Sequence, residues 1–176
     1  MASKSHGPDL DHILPAITSI LRARPHVRFE VFGTLSLPPF LSTLFPRRVR
    51  SRPAVIDYTD FLRHLASTKW AVGLAPLLPT EFNTCKSAIK YLEYTLCGIP
   101  IVASDTIPYR VIDSELNGLL ARSPDEWVAH ISRLLDDRTF AAELVARARQ
   151  ACEAMFGLKA EKARLLTLLC RLAGVT

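Results

Sequence analysis

The chain has 176 residues and a net charge of +5, with 49% hydrophobic and 22% charged residues. This composition excludes disordered and fibrous proteins, and the length is that of one domain, or of one domain with a short appendage. The seven glycines are too widely spaced to form a Gly-x-Gly-x-x-Gly loop or a Walker-type phosphate loop. A phosphate bound by this chain is therefore held without a glycine-rich loop.

The charge distribution and the cysteine spacing argue against a nucleic-acid partner and against a bound metal. Lys and Arg outnumber Asp and Glu by 22 to 17, but the basic residues are scattered along the chain except for a cluster at 47–52. We expect this cluster to be a solvated loop, and we expect no specific nucleic-acid partner. The four cysteines show no metal-binding spacing, so no metal is expected. The N-terminus lacks the apolar core of a signal peptide, and the longest apolar run, residues 70–78, is too short to span a bilayer. We therefore expect a cytoplasmic chain with free thiols and no membrane span.

The first part of the chain shows clear hydrophobic periodicity. Apolar residues at helical spacing are followed, after Pro25, by a stretch that alternates apolar and polar residues as a strand does. Four prolines then indicate a loop with at most one short helical turn. The predicted elements are a helix at 9–23, a strand at 27–32, a loop at 34–53, a strand at 54–58 and a helix at 60–67.

The second part alternates apolar strand-like runs with helical patterns. The runs at 70–75 and 99–104 are continuously apolar, as expected of strands buried on both faces. The further predicted elements are a helix at 84–97, a short strand at 117–121 and helices at 124–136, 139–156 and 158–172. This alternation predicts an α/β fold with a doubly wound parallel sheet. Such a sheet normally opens with a strand, whereas here the first element is a helix, so the first strand is expected to be missing.

Two parts of the chain are expected to differ in role. Residues 1–156 should form the α/β domain, and residues 157–176 an amphipathic helix that packs on this domain or on a partner. A membrane-surface role for this helix is the less favoured alternative, because its apolar residues also suit packing against protein.

The segment between the two buried strands, residues 79–100, is best suited to bind a ligand, because ligands of open α/β sheets bind at the carboxyl ends of the strands. On a helix over 84–97, Lys86, Lys90 and Glu93 share one side. A lysine in the first turn of a helix is normally disfavoured, so an anion there would explain it. The alternative is a solvated helix with a Lys90–Glu93 ion pair, and spacing alone slightly favours this alternative.

The start of the predicted helix offers an anion site that needs no glycine. Asn83 and Thr84 are good N-cap residues, and the first-turn N–H groups together with the helix dipole attract negative charge. Lys86 and Ser87 add an ammonium group and a hydroxyl group. We therefore expect a bound phosphate at this position.

A set of short motifs is spread over the chain: Ser5-His6, Asp9, residues 74–77, Phe82-Asn83, Lys86-Ser87, residues 90–94 and 98–104, Pro108-Tyr109, Asn117-Gly118 and Glu126-Trp127. In these residues the chain closely resembles the C-terminal half of the group 1 glycosyl transferases, which have the GT-B fold with two Rossmann-like domains. The most specific part is 90–104, where Glu, Gly and Pro fall at the offsets of the family. The resemblance covers nearly the whole chain.

The resemblance implies that the chain binds a nucleoside-diphosphate sugar as its substrate, with no metal and no other cofactor. Glu93 matches a glutamate of the family that hydrogen-bonds the ribose hydroxyls. Lys86 and Ser87 would face the diphosphate, with Lys90 on the same face. The transfer implied is metal-independent, retains the configuration of the sugar and uses an unknown acceptor.

Two further donor-binding residues follow from the same resemblance. Asn83 lies where the donor sugar would approach, and His6 lies in a loop that faces the phosphates in such folds. No catalytic residue is identified.

The chain departs from the family pattern in three ways. Cys85 stands where the family has the first of its two paired glutamates, the opening strand is missing, and the N-terminal acceptor-binding domain is not present. The chain is therefore expected to bind a donor better than it transfers sugar, and to need an N-terminal GT-B domain or a partner chain for catalysis. The alternative function is a non-catalytic fragment that binds nucleotide-sugar or only docks to a partner.

Overall fold

The computed structural model describes residues 4–173, in which helices surround parallel strands. The helices are α1 (Gly7–Ala23), α2 (Pro39–Leu44), α3 (Tyr58–Thr68), α4 (Glu81–Thr84), α5 (Ile89–Leu96), α6 (Pro124–Asp136), α7 (Arg138–Phe156) and α8 (Leu158–Ala173), with 3-10 turns at Lys4–His6 and Ile107–Tyr109. The strands are β1 (Phe29–Phe32), β2 (Val49–Arg52), β3 (Gly73–Ala75), β4 (Ile101–Ser104) and β5 (Leu119–Ala121). Within these residues, no helix combines the length and the apolar character needed to cross a membrane.

The strands form two parallel sheets. One contains β1 and β2, and the other contains β3, β4 and β5 with β4 in the centre. The expected parallel α/β architecture is confirmed, and the C-terminal part is helical as expected. Over the described residues, no ladder joins β1 to β3, so the sheet is divided in the middle.

Helices cover both faces of the strands, as in a doubly wound fold. The side chains of β4 alternate, because Val102 packs with α1 and α6 whereas Ile101 and Ala103 pack with α5 and α7. A third cluster joins β1 to α3 through Phe32 and Phe61, whose rings meet edge to face with centroids 5.3 Å apart. The central strand β4 is therefore buried on both faces.

Within residues 34–58, the short helical turn allowed in the predicted loop forms as the helix α2. The position of the second strand was predicted wrongly, because this strand lies at Val49–Arg52 instead of 54–58. This arginine-rich segment can form a strand because it is at the edge of its sheet, where three of its four residues are exposed. Arg52 also pairs across the strands with Glu30, at 2.9 Å between Nε and Oε2.

The predicted helix over 84–97 is divided into α4, a loop and α5. The Thr80 hydroxyl caps α4 by accepting a hydrogen bond from the Asn83 N–H at 3.2 Å. The side chain of Asn83 is drawn instead to Asp9 on α1, at 3.0 Å. Asn83 and Thr84 therefore do not cap the longer helix, and Ala88 stands at the N-cap of α5.

The C-terminal helices agree closely with the sequence prediction. Asp137 caps α7 by accepting a hydrogen bond from the Phe140 N–H at 2.8 Å. Gly157 separates α7 from α8, and α8 contacts α7, the helix that precedes it. The division of the chain at residues 156 and 157 into a domain and an appendage stays a prediction.

Candidate functional site

A buried carboxylate, Asp9, organises the carboxyl edge of the larger sheet. Asp9 lies in the first turn of α1 and is 3% exposed. Its Oδ1 accepts hydrogen bonds from the Leu78 N–H at 2.8 Å and from Asn83 Nδ2 at 3.0 Å. Its Oδ2 lies 2.8 Å from His6 Nδ1 and 3.8 Å from Lys86 Nζ. One carboxylate thus joins the start of α1 to the loop after β3 and to the loop before α5.

His6 is held in a defined orientation beside this carboxylate. Burial lowers the pKa of His6, and the nearby charges of Lys90 and Lys86 act in the same direction, whereas the hydrogen bond with Asp9 raises it. The imidazole is therefore neutral at neutral pH. Because the Asp9 carboxylate only accepts, Nδ1 carries the proton, and Nε2 is left as an acceptor or as a site for a second proton.

Basic and hydroxyl side chains from three segments line a small cavity near the carboxyl ends of β3 and β4. Its volume is about 290 Å³ and its lining residues are His6, Leu77, Lys86, Ser87, Ile89, Lys90 and Tyr109. The backbone N–H groups of residues 87–89 have no backbone acceptor within the described part of the chain. Two lysines and a hydroxyl group line the same space at the start of α5.

Lys90 and Glu93 stand one turn apart on α5 and line a second, larger cavity of about 470 Å³. Burial lowers the pKa of Lys90, while the Glu93 carboxylate raises it and Lys86 lowers it further. Glu93 is 5% exposed and lies close to Tyr58. The pKa of the Tyr58 phenol is raised by burial first, and then by the Glu93 charge and a hydrogen bond with Glu93. His6 and Lys90 line both cavities and connect them.

The structure brings most of the expected site residues together, although not on one helix. His6, Lys86, Ser87 and Lys90 surround the smaller cavity, and Glu93 lines the larger one. Lys86 and Ser87 belong to the loop before α5 and not to the first turn of the predicted helix, because that helix begins only at Ile89.

Asn83 lies apart from both cavities. Its side-chain Nδ2 donates to Asp9 at 3.0 Å and to the Leu78 carbonyl at 2.9 Å, so this amide connects parts of the fold. A contact between Asn83 and a donor sugar stays a prediction. The sequence offered no role for Asp9, and the only signal for it was its place among the residues of the family resemblance.

The remaining candidate groups show no catalytic arrangement. Burial and the Glu93 charge raise the pKa of the Cys97 thiol, which disfavours the nucleophilic thiolate. Cys85, at the position of the missing glutamate, is exposed. Across residues 4–173, no group of three His, Cys, Asp or Glu side chains is placed to hold a metal ion.

The family comparison agrees with the fold. A family model described as glycosyl transferase-like matches residues 15–167. The chain therefore belongs to the glycosyl transferase-like family. Its fold is that of the C-terminal half of the group 1 GT-B enzymes. No significant match was found among curated protein sequences.

Solved structures share this fold at low sequence identity. The C-terminal domain of the group 1 glycosyl transferase LpcC from Francisella tularensis is 12% identical, with a TM-score of 0.68 over 89% of this chain and 83% of that chain. HepE from Anabaena, in complex with UDP and glucose, is 16% identical, with a TM-score of 0.67 over 88% of this chain and 43% of that one. TarM from S. aureus is 16% identical, with a TM-score of 0.71 over 95% of this chain and 33% of that one. The chain spans less than half the length of HepE and of TarM.

Proposed function

We propose that this chain is the donor-binding half of a glycosyltransferase and that it binds a nucleoside-diphosphate sugar. The observation that carries the proposal is the meeting of His6, Lys86, Ser87 and Lys90 around one cavity, with Glu93 in the cavity next to it. The relatives support this choice of ligand, because HepE forms complexes with UDP, with UDP and glucose, and with UDP-glucose.

The diphosphate would occupy the smaller cavity. The N–H groups of residues 87–89 offer hydrogen bonds at the start of α5, where the helix dipole favours an anion. Lys86 and Lys90 supply positive charge beside two carboxylates, Asp9 at 3.8 Å from Lys86 and Glu93, whose charge acts on Lys90. Burial lowers the pKa values of Lys90 and His6, and a bound diphosphate would raise both values.

The ribose would lie in the larger cavity against Glu93. A carboxylate accepts hydrogen bonds from both hydroxyls of a ribose, and Glu93 lines this cavity together with Lys90 and His6. A ligand that extends from the smaller to the larger cavity would contact both ends of this site. The base, the sugar and the acceptor are left unspecified, and the contact of Asn83 with the sugar belongs to this proposal.

Sugar transfer would use the same positive groups without a metal ion. As the bond to the sugar breaks, charge develops on the departing diphosphate, and Lys86 and Lys90 would stabilise it. The acceptor would be bound by an N-terminal GT-B domain or by a partner chain. The second candidate is a non-catalytic nucleotide-sugar-binding module, which the exposed Cys85 favours because this thiol stands in place of a family glutamate. The cytoplasmic location expected from the sequence stays a prediction.

Calorimetric titration of the full chain with UDP-glucose, a GDP-sugar and an ADP-sugar tests the proposal. Glu93→Gln and Lys86→Met should each weaken binding by about tenfold or more, because each removes a hydrogen-bonded charge worth roughly 1.5–3 kcal/mol. The matched control is Glu143→Gln, which replaces an exposed carboxylate on α7. This variant should bind the donors as tightly as the parent chain does. Thermal unfolding of each variant checks that the fold is retained.

The outcomes of these titrations are distinct. Absence of binding to all three donors by the folded parent chain would reject the donor site. Binding that is insensitive to both Glu93→Gln and Lys86→Met would place the ligand elsewhere. Binding without sugar release or transfer to any acceptor would favour the non-catalytic module over the enzyme.

A further inference from the structure

His6 and Asp9 form a hydrogen-bonded pair at the wall of the smaller cavity. Asp9 Oδ2 lies 2.8 Å from His6 Nδ1, and both side chains are largely buried. The His6 ring lines the smaller cavity, whereas the Asp9 side chain is not among the lining residues. Because the carboxylate can only accept, Nδ1 carries the ring proton of neutral His6, and the second proton of a charged imidazole would be placed on Nε2.

The charged groups around His6 come from three segments of the chain. Asp9 lies on α1, Lys86 lies in the loop before α5, and Lys90 lies on α5 itself. Burial lowers the pKa of His6 most, the two lysine charges lower it further, and Asp9 raises it. Tyr109 also lines the smaller cavity, and burial raises the pKa of its phenol, so this group stays neutral. Without a ligand, the balance therefore favours neutral His6.

A diphosphate in the smaller cavity would reverse this balance. It would lie against His6, Lys86 and Lys90, which line that cavity together. Negative charge within about 4–6 Å of an imidazole favours its protonated form. His6 Nε2 would then donate a charged hydrogen bond to a phosphate oxygen, while Nδ1 keeps its hydrogen bond to Asp9. Glu93, the carboxylate on α5, lines the larger cavity, and its charge acts on Lys90.

Asp9 would act through His6 and would not contact the ligand. Its Oδ2 is bonded to the His6 ring, and its Oδ1 accepts from the Leu78 N–H and from Asn83 Nδ2, so both oxygens are engaged within the fold. A buried carboxylate on one side of an imidazole fixes the tautomer and the orientation of the ring, and it stabilises the charged form. Both effects prepare Nε2 to receive a proton when an anion arrives.

We propose that His6 takes up a proton when the donor binds and holds the diphosphate as an imidazolium, and that Asp9 is the positioning residue that directs this proton to Nε2. This role rests on the proposed donor site and adds a dependence of donor affinity on pH. Because proton and donor bind together, the donor should bind more tightly as the pH falls from about 8 to about 6.

Calorimetric titration of the full chain measures the proton directly. The probe is whichever of UDP-glucose, the GDP-sugar and the ADP-sugar binds most tightly, and the phosphates of all three are diesters that do not titrate in this range. Comparison of the binding enthalpy in buffers of different ionisation enthalpy gives the number of protons taken up. We expect uptake of a substantial part of one proton near neutral pH, and a gain in affinity of about fivefold or more from pH 8 to pH 6.

Two histidine variants assign the proton. His6→Gln should bind the donor more weakly, with no proton uptake and with an affinity that no longer changes over this pH range. His12→Gln replaces an exposed histidine on α1 and should retain the uptake of the parent chain. Thermal unfolding checks that both variants are folded. Proton uptake that persists in His6→Gln would assign the proton to another group, such as Lys90, and would overturn the proposal.

Nitrogen-15 spectra of the His6 ring test the role of Asp9 with a signal that a purely structural residue would not change. In the free parent chain at about pH 7.5, Nδ1 should carry the proton, and with donor bound at about pH 6.5 both nitrogens should be protonated. Asp9→Asn should move the protonation of His6 to lower pH, because an amide supplies no negative charge. If this variant does not fold, the parent chain still decides, since a free ring protonated on Nε2 would overturn the role of Asp9.

The outcomes separate this proposal from the donor site on which it rests. Donor binding without proton uptake, and with His6 neutral in the complex, would overturn the proposal and leave the donor site intact. Absence of binding by the folded parent chain at every pH would reject the donor site and the proton uptake together.

Discussion

The side-chain amide of Asn83 donates a hydrogen bond of 3.0 Å to the buried carboxylate of Asp9 on α1. The two residues belong to α4 and α1, and the same carboxylate also accepts from the Leu78 N–H and contacts the His6 ring. Asp9 thus joins three segments of the chain beside the candidate site. We therefore expect the stability of the site to depend on this one carboxylate.

Asp9→Asn should lower the free energy of unfolding by about 1–3 kcal/mol, because an amide cannot satisfy the donors that converge on the buried carboxylate. Urea unfolding monitored by circular dichroism measures the change. Asp11→Asn, an exposed residue on the same helix, is the control and should change stability by less than about 0.5 kcal/mol. Equal effects of the two substitutions would contradict the role assigned to Asp9.

The stability of the fold should depend on pH through His6. Burial lowers the pKa of His6 from its ordinary value of 6.5, so the unfolded chain binds this proton more readily. Above pH 6.5, neutral His6 therefore makes its full contribution to the free energy of unfolding. This contribution is lost as the pH falls from 6.5 through the lower pKa that His6 has in the folded chain.

The measurement is urea unfolding between about pH 7 and pH 5. His6→Gln should reduce the rise of the unfolding free energy with pH, whereas His12→Gln, at an exposed position, should leave it unchanged. An identical pH dependence in His6→Gln and the parent chain would show that the imidazole does not titrate as described.

Gly73→Ala should destabilise the larger sheet. A Cβ at Gly73 would come within 2.5 Å of the Tyr94 ring, which packs flat against this residue and donates to the Leu74 carbonyl. We expect a loss of about 1–3 kcal/mol, as for other overpacked interior positions. Thermal or urea unfolding gives the value.

The control for this substitution is Gly7→Ala at the start of α1. A Cβ there meets no atom within 4 Å, so the change should be neutral or should stabilise the helix by up to about 1 kcal/mol. If Gly73→Ala leaves the free energy of unfolding unchanged, the Tyr94 ring can move aside without loss of stability, which would contradict the prediction.

Arg48→Met should destabilise the fold although the residue belongs to the basic cluster at 47–52. The Arg48 guanidinium donates to the carbonyls of Val27, Leu21 and Arg24 at 2.9, 2.8 and 2.7 Å, which caps the end of α1. Loss of these charged hydrogen bonds should cost about 1.5–3 kcal/mol. The control is Arg50→Met, because Arg50 is exposed. A similar loss of stability in this variant would show that the effect depends on net charge and not on capping of α1.

Local sequence was a reliable guide where burial and periodicity agree. The apolar run before Ser104 forms β4, and α6 has the bounds that were predicted. Prediction from local sequence was wrong where contacts with distant residues compete with local helix preference. The segment 84–97 has a helical pattern throughout, but Thr80 caps a separate short helix and the side chain of Asn83 is bonded to Asp9, so the second helix begins only at Ile89.

The basic segment Val49–Arg52 failed for a related reason. Its arginines do not alternate with apolar residues, so nothing in the pattern indicates a strand. It forms one because the free edge of β1 supplies the ladder and because Glu30 neutralises Arg52. Neither partner is visible from the segment itself.

The sequence by itself determined the α/β class and the residues 90–104 that carry the family resemblance, and it predicted a lysine-bearing anion site without glycine loops. These inferences are local, since they follow from periodicity and from residue type at short spacing. Only the tertiary structure decided that His6 meets Lys86 and Lys90, and that β1 and β3 stand apart with a cavity between them. Residues far apart in the chain meet because parallel strands end at a common edge, and that arrangement depends on packing across the whole fold.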